Sequence, residues 1–175
     1  IESEAKAREI GGAIGRAFSD QKTIILNFPI KNPAMAVALL EGIAIVQYDF
    51  RVYKSNEGKP INLKNVVVVA NFTLTKSQVD RVKIIGETLT ATRDLVNTPG
   101  NDLYPSKFAE IVKMQAKIPN VKIEIWDEKR LAKEKCNGIL SVGQGSVKPP
   151  RLVKISYTPA RAKAKLALVG KGITF

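Results

Sequence analysis

Two short runs constrain this chain more than any other feature: "TIILNF" at 23–28 and "NVVVVANF" at 65–72. Both are dominated by apolar, β-branched residues, the pattern of a strand covered on both faces rather than one. Such strands need helices against them, and helical patterns flank each run. In "SEAKAREIGGAIGRAF", 3–18, Ala7, Ile10, Ile14 and Phe18 recur at spacings of three and four. Gly11, Gly12 and Gly15 each cost roughly 1 kcal/mol of helix propensity, so close packing against a neighbour is expected there. "PAMAVALLEGIAIVQY", 33–48, predicts a second helix with Pro33 in its first turn. The polar stretch 48–60 predicts a loop.

From Ser77, the expected cap, to Asn97 the spacing predicts a long helix with Val79, Val82, Ile85, Leu89, Thr92 and Val96 on one stripe. "NTPGNDLYP", 97–105, interrupts it, and Asn97, Pro99, Asn101 and Asp102 are expected to shape the turn. Pro105 opens a helix to about 118, with Phe108, Ile111, Val112 and Ile118 inward. "VKIEIW", 121–126, alternates as a strand, and Asp127 caps a short charged helix. Three more strands are expected in "GILSVGQGS" (138–146), "RLVKISY" (151–157) and "KLALVGKG" (165–172), with Gly143–Ser146 ending the first. The alternation means an α/β fold with a mostly parallel or mixed sheet. Neither half looks complete: the first offers two strands, and the second stops while its sheet is being built.

Composition removes several chemistries. The chain has no histidine and one cysteine. Ser-His-Asp triads and His-ligated zinc are therefore excluded, and no internal disulfide forms. Cys136 reads as a small buried apolar residue in a protein of a reducing, cytoplasmic compartment. No apolar run approaches the ~18 residues of a membrane span. The chain starts at Ile1 in a charged helical stretch, which reads as a fragment or processed chain without a signal peptide. Net charge is +12, and eight Lys or Arg follow Glu134 with no Asp or Glu among them. That charge keeps a nucleic-acid partner as the alternative reading, although aromatics are only 6% and basic-aromatic interleaving is missing.

The closing "LALVGKGITF", 166–175, holds Lys171 between Gly170 and Gly172. It is not a phosphate loop: Lys165 stands where that pattern needs its first glycine, and Gly172 where it needs Ser or Thr. A dinucleotide G-x-G-x-x-G fails as well, at Phe175 counted from Gly170 and at Lys148 counted from Gly143. Lys171 itself reads either as a solvated loop lysine or as a site residue at the carboxyl end of a sheet strand, where open α/β folds place their ligands. A divalent metal could hold its amine neutral if carboxylates stood close by.

Taken together, "TRDLVNTPGNDLYP" (92–105), "GILSVGQGSVKPPRLVKISY" (138–157) and "LALVGKGITF" (166–175) resemble the leucyl aminopeptidase family of two-metal exopeptidases. "EGIAIVQYDFRVYKS" (41–55) adds a weaker match. The resemblance implies part of an N-terminal α/β domain at 1–74, a connecting helix at 75–98 and the beginning of a C-terminal peptidase domain at 99–175. It implies a cytoplasmic homo-hexamer that removes N-terminal residues from peptides, leucine favoured, with two divalent ions, zinc or manganese. It maps one metal ligand onto Lys171. The paired metals would activate a water and steady the tetrahedral transition state. The family's other ligands, its catalytic lysine and its carbonate-holding arginine follow the GKGITF motif and have no counterpart here. No catalytic residue is therefore assigned, and the 175 residues alone are expected to be an inactive piece. A non-catalytic relative is a further reading.

Overall fold

The computed structural model describes residues 2–55 and 60–173. The chain divides into two compact units, Ile1–Asn97 and Thr98–Phe175.

The first unit runs α1 (Glu4–Ala17), β1 (Thr23–Leu26), α2 (Pro33–Val46), β2 (Asn65–Val68) and α3 (Lys76–Asn97). Local chemistry starts each helix. Ser3 Oγ accepts from the Lys6 amide at 3.2 Å. Asn32 Oδ1 accepts from the Met35 amide at 3.0 Å, with Pro33 next to it. α3 is capped two residues before the expected Ser77, by Thr75 in a reciprocal capping box. The Gln78 amide donates to Thr75 Oγ1 at 3.3 Å, and the Thr75 amide donates to Gln78 Oε1 at 2.9 Å.

β1 and β2 pair in parallel, Thr23 opposite Asn65 and Leu26 opposite Val68, with α2 as the crossover. Ile24 and Leu26 point into a core with Ala7, Ala38, Leu39 and Ile43. The expectation of strands covered on both faces is corrected: Ile25 is 66% exposed and Val67 46%. The described residues put helices on one face of this pair only.

The predicted glycine packing is present. α1 lies so close to α2 that a Cβ on Gly11 would stand 2.0 Å from the Leu39 carbonyl oxygen. A Cβ on Gly42 would stand 2.1 Å from the Arg8 carbonyl oxygen. Beside this contact lies the one buried charged side chain among the described residues, Glu41. Its carboxylate accepts from Arg8 Nε at 2.8 Å and from Arg81 Nε at 3.0 Å, which links α1, α2 and α3.

The second unit contains α4 (Pro105–Lys113) with a 3-10 turn (Met114–Lys117), β3 (Val121–Trp126), α5 (Glu128–Lys133), α6 (Asn137–Gly143) and β4 (Leu152–Tyr157). The helix expected to reach 118 thus tightens into a 3-10 turn before Pro119. Its buried face is Ala109 and Val112, while Phe108 and Ile118 stay exposed. β3 and β4 pair antiparallel, Val121 opposite Tyr157 and Trp126 opposite Leu152. The Arg130 guanidinium covers the Trp126 ring at 4.3 Å, and Leu131 of α5 is fully buried.

Two expected strands are corrected. Residues 138–146 are not a strand: Asn137–Gly143 is helix α6. Short apolar runs fit either period, and here Lys135, in a left-handed conformation (φ 58°), turns the chain so that the Cys136 carbonyl accepts from Ile139 and Leu140. Gly143 therefore ends a helix. Residues 165–172 lie exposed and in no regular element, with Leu166, Leu168 and Val169 all above 85% exposure. A strand exists only against a partner, and none of the described strands pairs with this run. Cys136 is half-buried rather than buried, its thiol 3.8 Å from the Glu134 carbonyl oxygen.

Across the β3–β4 pair, Lys154 Nζ reaches Glu124 Oε1 at 3.2 Å. The Lys154 hydrogen bond, then its charge, hold the Glu124 carboxyl below its ordinary value of 4.5. A depressed carboxyl contributes stability above its unfolded value and loses it as pH falls through the folded one. The pair should therefore persist at neutral pH and open only in acid, below 4.5. A carboxyl-carbon NMR titration should give a Glu124 midpoint under 4.5 that rises in Lys154→Met. An unmoved midpoint would refute the pairing.

Candidate functional site

The residues singled out by sequence fall into three places. The first is the turn after α3. The Pro99 carbonyl accepts from the Asp102 amide at 2.9 Å and from the Leu103 amide at 2.8 Å, and this closes the turn. Leu103 is buried, and Tyr104 precedes Pro105 at the start of α4. Asn97 faces back into the first unit, its Nδ2 donating to the Tyr48 hydroxyl at 3.0 Å.

The second place is the segment after α6. A Cβ on Gly143 would stand 2.6 Å from the Pro150 ring, so only glycine lets the "VKPP" segment fold back on the helix. Lys148 Nζ lies 4.3 Å from the centroid of the Tyr104 ring. The structure thereby joins "NDLYP" and "GSVKPP", motifs more than forty residues apart in sequence. Nothing in the sequence announced that contact; a lysine and a tyrosine in loops carry no periodic signal. An open depression of about 440 Å³ beside α6 is lined by Asn137, Leu140, Ser141, Gln144 and Ser146, among others, and holds no ionisable side chain.

The third place is Lys171. It is exposed, and a Cβ on Gly170 or Gly172 would meet nothing within 4 Å. Thr174 and Phe175 of the same motif lie outside the described residues. Among the described residues no group of three His, Cys, Asp or Glu could hold a metal ion. One lysine amine with no imidazole and no gathered carboxylates does not make a metal centre. The described residues therefore do not fit a pair of divalent ions by themselves, and no chemical step through such ions follows from them.

The basic excess is partly committed to internal contacts. Lys154 pairs with Glu124, Arg151 with Glu128, and Lys148 stacks on Tyr104. Among the described residues no helix is long and apolar enough to cross a membrane.

Small sheets flanked by helices, with glycine-rich motifs gathered in the second unit, define an α/β chain whose signature lies toward its end. Residues 90–175 match the model of the cytosol aminopeptidase family, catalytic domain, and the chain belongs to this family. It is 37% identical to a probable cytosol aminopeptidase of Micrococcus luteus, over 99% of this chain and 35% of that protein. It is 40% identical to one of Streptomyces avermitilis, over 96% of this chain and 34% of that protein. The chain thus spans about a third of the length of these relatives. Among solved structures, the bottromycin maturation enzyme BotP in complex with Mn superposes with a TM-score of 0.75 at 26% identity, over 90% of this chain and 34% of that one. A variant of tomato leucine aminopeptidase superposes with a TM-score of 0.78 at 16% identity, over 94% of this chain and 35% of that one. At that identity the second likeness speaks for the fold alone.

Proposed function

We propose that the whole protein is a metal-dependent aminopeptidase that releases N-terminal residues from peptides, leucine favoured. The observation that carries this reading is the match of residues 90–175 to the catalytic domain of the cytosol aminopeptidase family, a match that includes the GKGITF motif. On this reading residues 1–74 belong to an N-terminal domain, 75–98 connect, and 99–175 begin the peptidase domain. Two divalent ions, zinc or manganese, serve the reaction, and Lys171 supplies one ligand. The enzyme works in the cytoplasm as a homo-hexamer. The 175 residues alone are inactive, since their described part gathers no carboxylates around Lys171.

The test compares two polypeptides: this chain and a polypeptide of its relatives' length that contains it. After loading with manganese and exhaustive dialysis, the longer polypeptide should retain metal and release the chromophore from a leucine anilide, while the 175-residue chain does neither. A longer polypeptide that retains manganese but leaves N-terminal leucine, alanine and methionine substrates intact would overturn the peptidase reading. Turnover by the 175-residue chain would overturn its proposed inactivity.

A further inference from the structure

α3 is 22 residues long, and none of them is buried. Val82, Ile85, Leu89 and Leu95 are half-buried, whereas Val79 and Val96 of the predicted stripe are exposed. Gly86 brings the helix against Ala44, where a Cβ would stand 3.2 Å from the alanine Cβ. Around that point the packing is open. A cleft of about 640 Å³ separates the end of α2 and residues 63–64 from α3, lined by Gln47, Lys64, Val82, Glu87 and Ala91, among others. Gln47 Oε1 is buried there without a hydrogen-bond partner.

The hold on α3 is instead polar and sits near its two ends. At the start, Arg81 Nε donates to Glu41 Oε1 at 3.0 Å, with Arg81 62% exposed. At the finish, Arg93 Nη1 donates to the Ile45 carbonyl at 2.5 Å, and its guanidinium lies 5.5 Å from the Tyr48 ring centroid. The Tyr48 hydroxyl donates to Asp94 Oδ1 at 2.9 Å and accepts from Asn97 Nδ2 at 3.0 Å. Burial first, against the Asn97 donor and together with Asp94, raises the Tyr48 hydroxyl above its ordinary value, so it stays protonated as the donor this arrangement needs. α1 and α2, by contrast, are joined by glycine-mediated backbone contact and a buried apolar core.

We propose that α3 is a releasable connector: a helix clasped at both ends by charge-assisted hydrogen bonds, able to leave the α1–α2 core without unfolding it. An element with little buried apolar surface opens at a fraction of the global free energy. Its clasps are partly solvated, so salt screens them. Once released, the helix loses the tertiary packing that supplies most helical stability, Gly86 weakens it further, and its amides exchange. The match to the peptidase domain begins at residue 90, inside α3, so release frees the first turns of that segment from the first unit. The inference does not depend on the aminopeptidase reading.

Hydrogen exchange read by mass spectrometry on the full chain tests it. Raising NaCl from about 50 mM to about 1 M should speed exchange of peptides within 76–97 about fivefold while leaving α1 and α2 peptides unchanged. Arg81→Gln, which removes the α3 side of one clasp, should do the same at low salt by about fivefold. Tyr48→Phe, which removes the hydroxyl of the other, should act likewise on the last turns of α3. If both variants and salt leave α3 protection unchanged, the polar clasps do not hold the helix. If α1, α2 and α3 all speed up together, the unit opens as one body. Either result overturns the proposal.

Discussion

In the longer polypeptide proposed to be the active aminopeptidase, replacing Lys171 by alanine should lower turnover by about a hundredfold or more, a loss at least as large as that caused by disturbing the shell around a metal's ligands. The same change should leave the melting temperature where it was. The contrast follows from where the residue stands. Lys171 is exposed between two glycines, and among the described residues no hydrogen bond or ion pair holds it. Truncating such a side chain costs a fold almost nothing, since surface substitutions away from packed features stay within about 0.5 kcal/mol. A large loss of rate with no loss of stability is therefore the signature of the proposed ligand role. Metal content adds a second readout: the variant should retain less manganese than the wild-type enzyme after dialysis. Wild-type turnover with wild-type metal content in Lys171→Ala would remove the assignment.

Gly42→Ala should destabilise the first unit by about 3 kcal/mol or more, at the upper end of what overpacking costs. The added methyl would meet the Arg8 carbonyl oxygen at 2.1 Å, and that atom belongs to the backbone of α1, which cannot rotate aside. The helices must separate, and with them the contacts of Ala7, Ala38 and Leu39 around the core. Gly11→Ala should behave alike for the same reason at Leu39. Gly12→Ala is the internal control. Its new methyl would find its nearest neighbours at 3.6 Å, ordinary contact, and alanine gains about 1 kcal/mol of helix propensity over glycine. Thermal or urea unfolding should show Gly42→Ala and Gly11→Ala falling while Gly12→Ala holds or rises. Equal losses at all three positions would mean that helix propensity, not interhelical distance, decides.

The glycines show how much of the fold is legible in the sequence. Three glycines in one amphipathic helix announce close packing, and the periodicity places the helices and the strands at 23, 65, 121 and 151 within a few residues. The departures have separate causes. "GILSVGQGS" is a short apolar run with no decisive period, and the left-handed turn at Lys135 chose helix for it. "KLALVGKG" has the composition of a strand but lies unpaired among the described residues, because strand formation is a property of two segments. The cap of α3 shifted from Ser77 to Thr75 because Gln78, three residues after Thr75, completes the reciprocal pair.

The candidate site divides along the same line. The linear motifs are legible because each is a local pattern of glycine, proline and lysine. They are enough to suggest the family to which the chain belongs. The contact of Lys148 with Tyr104 is not legible, nor is the meeting of Arg8 and Arg81 on Glu41, since each pairs side chains far apart in the chain.

By itself, then, the sequence determined the α/β class, the family and every element except the helix at 137–143 and the unpaired run at 165–172, all of which rest on residues close together along the chain. Only the tertiary structure decided which glycine admits no methyl, which charges are buried together, and that α3 is held by its ends. Those depend on distances between segments, and chain order carries no distance between residues that folding brings together.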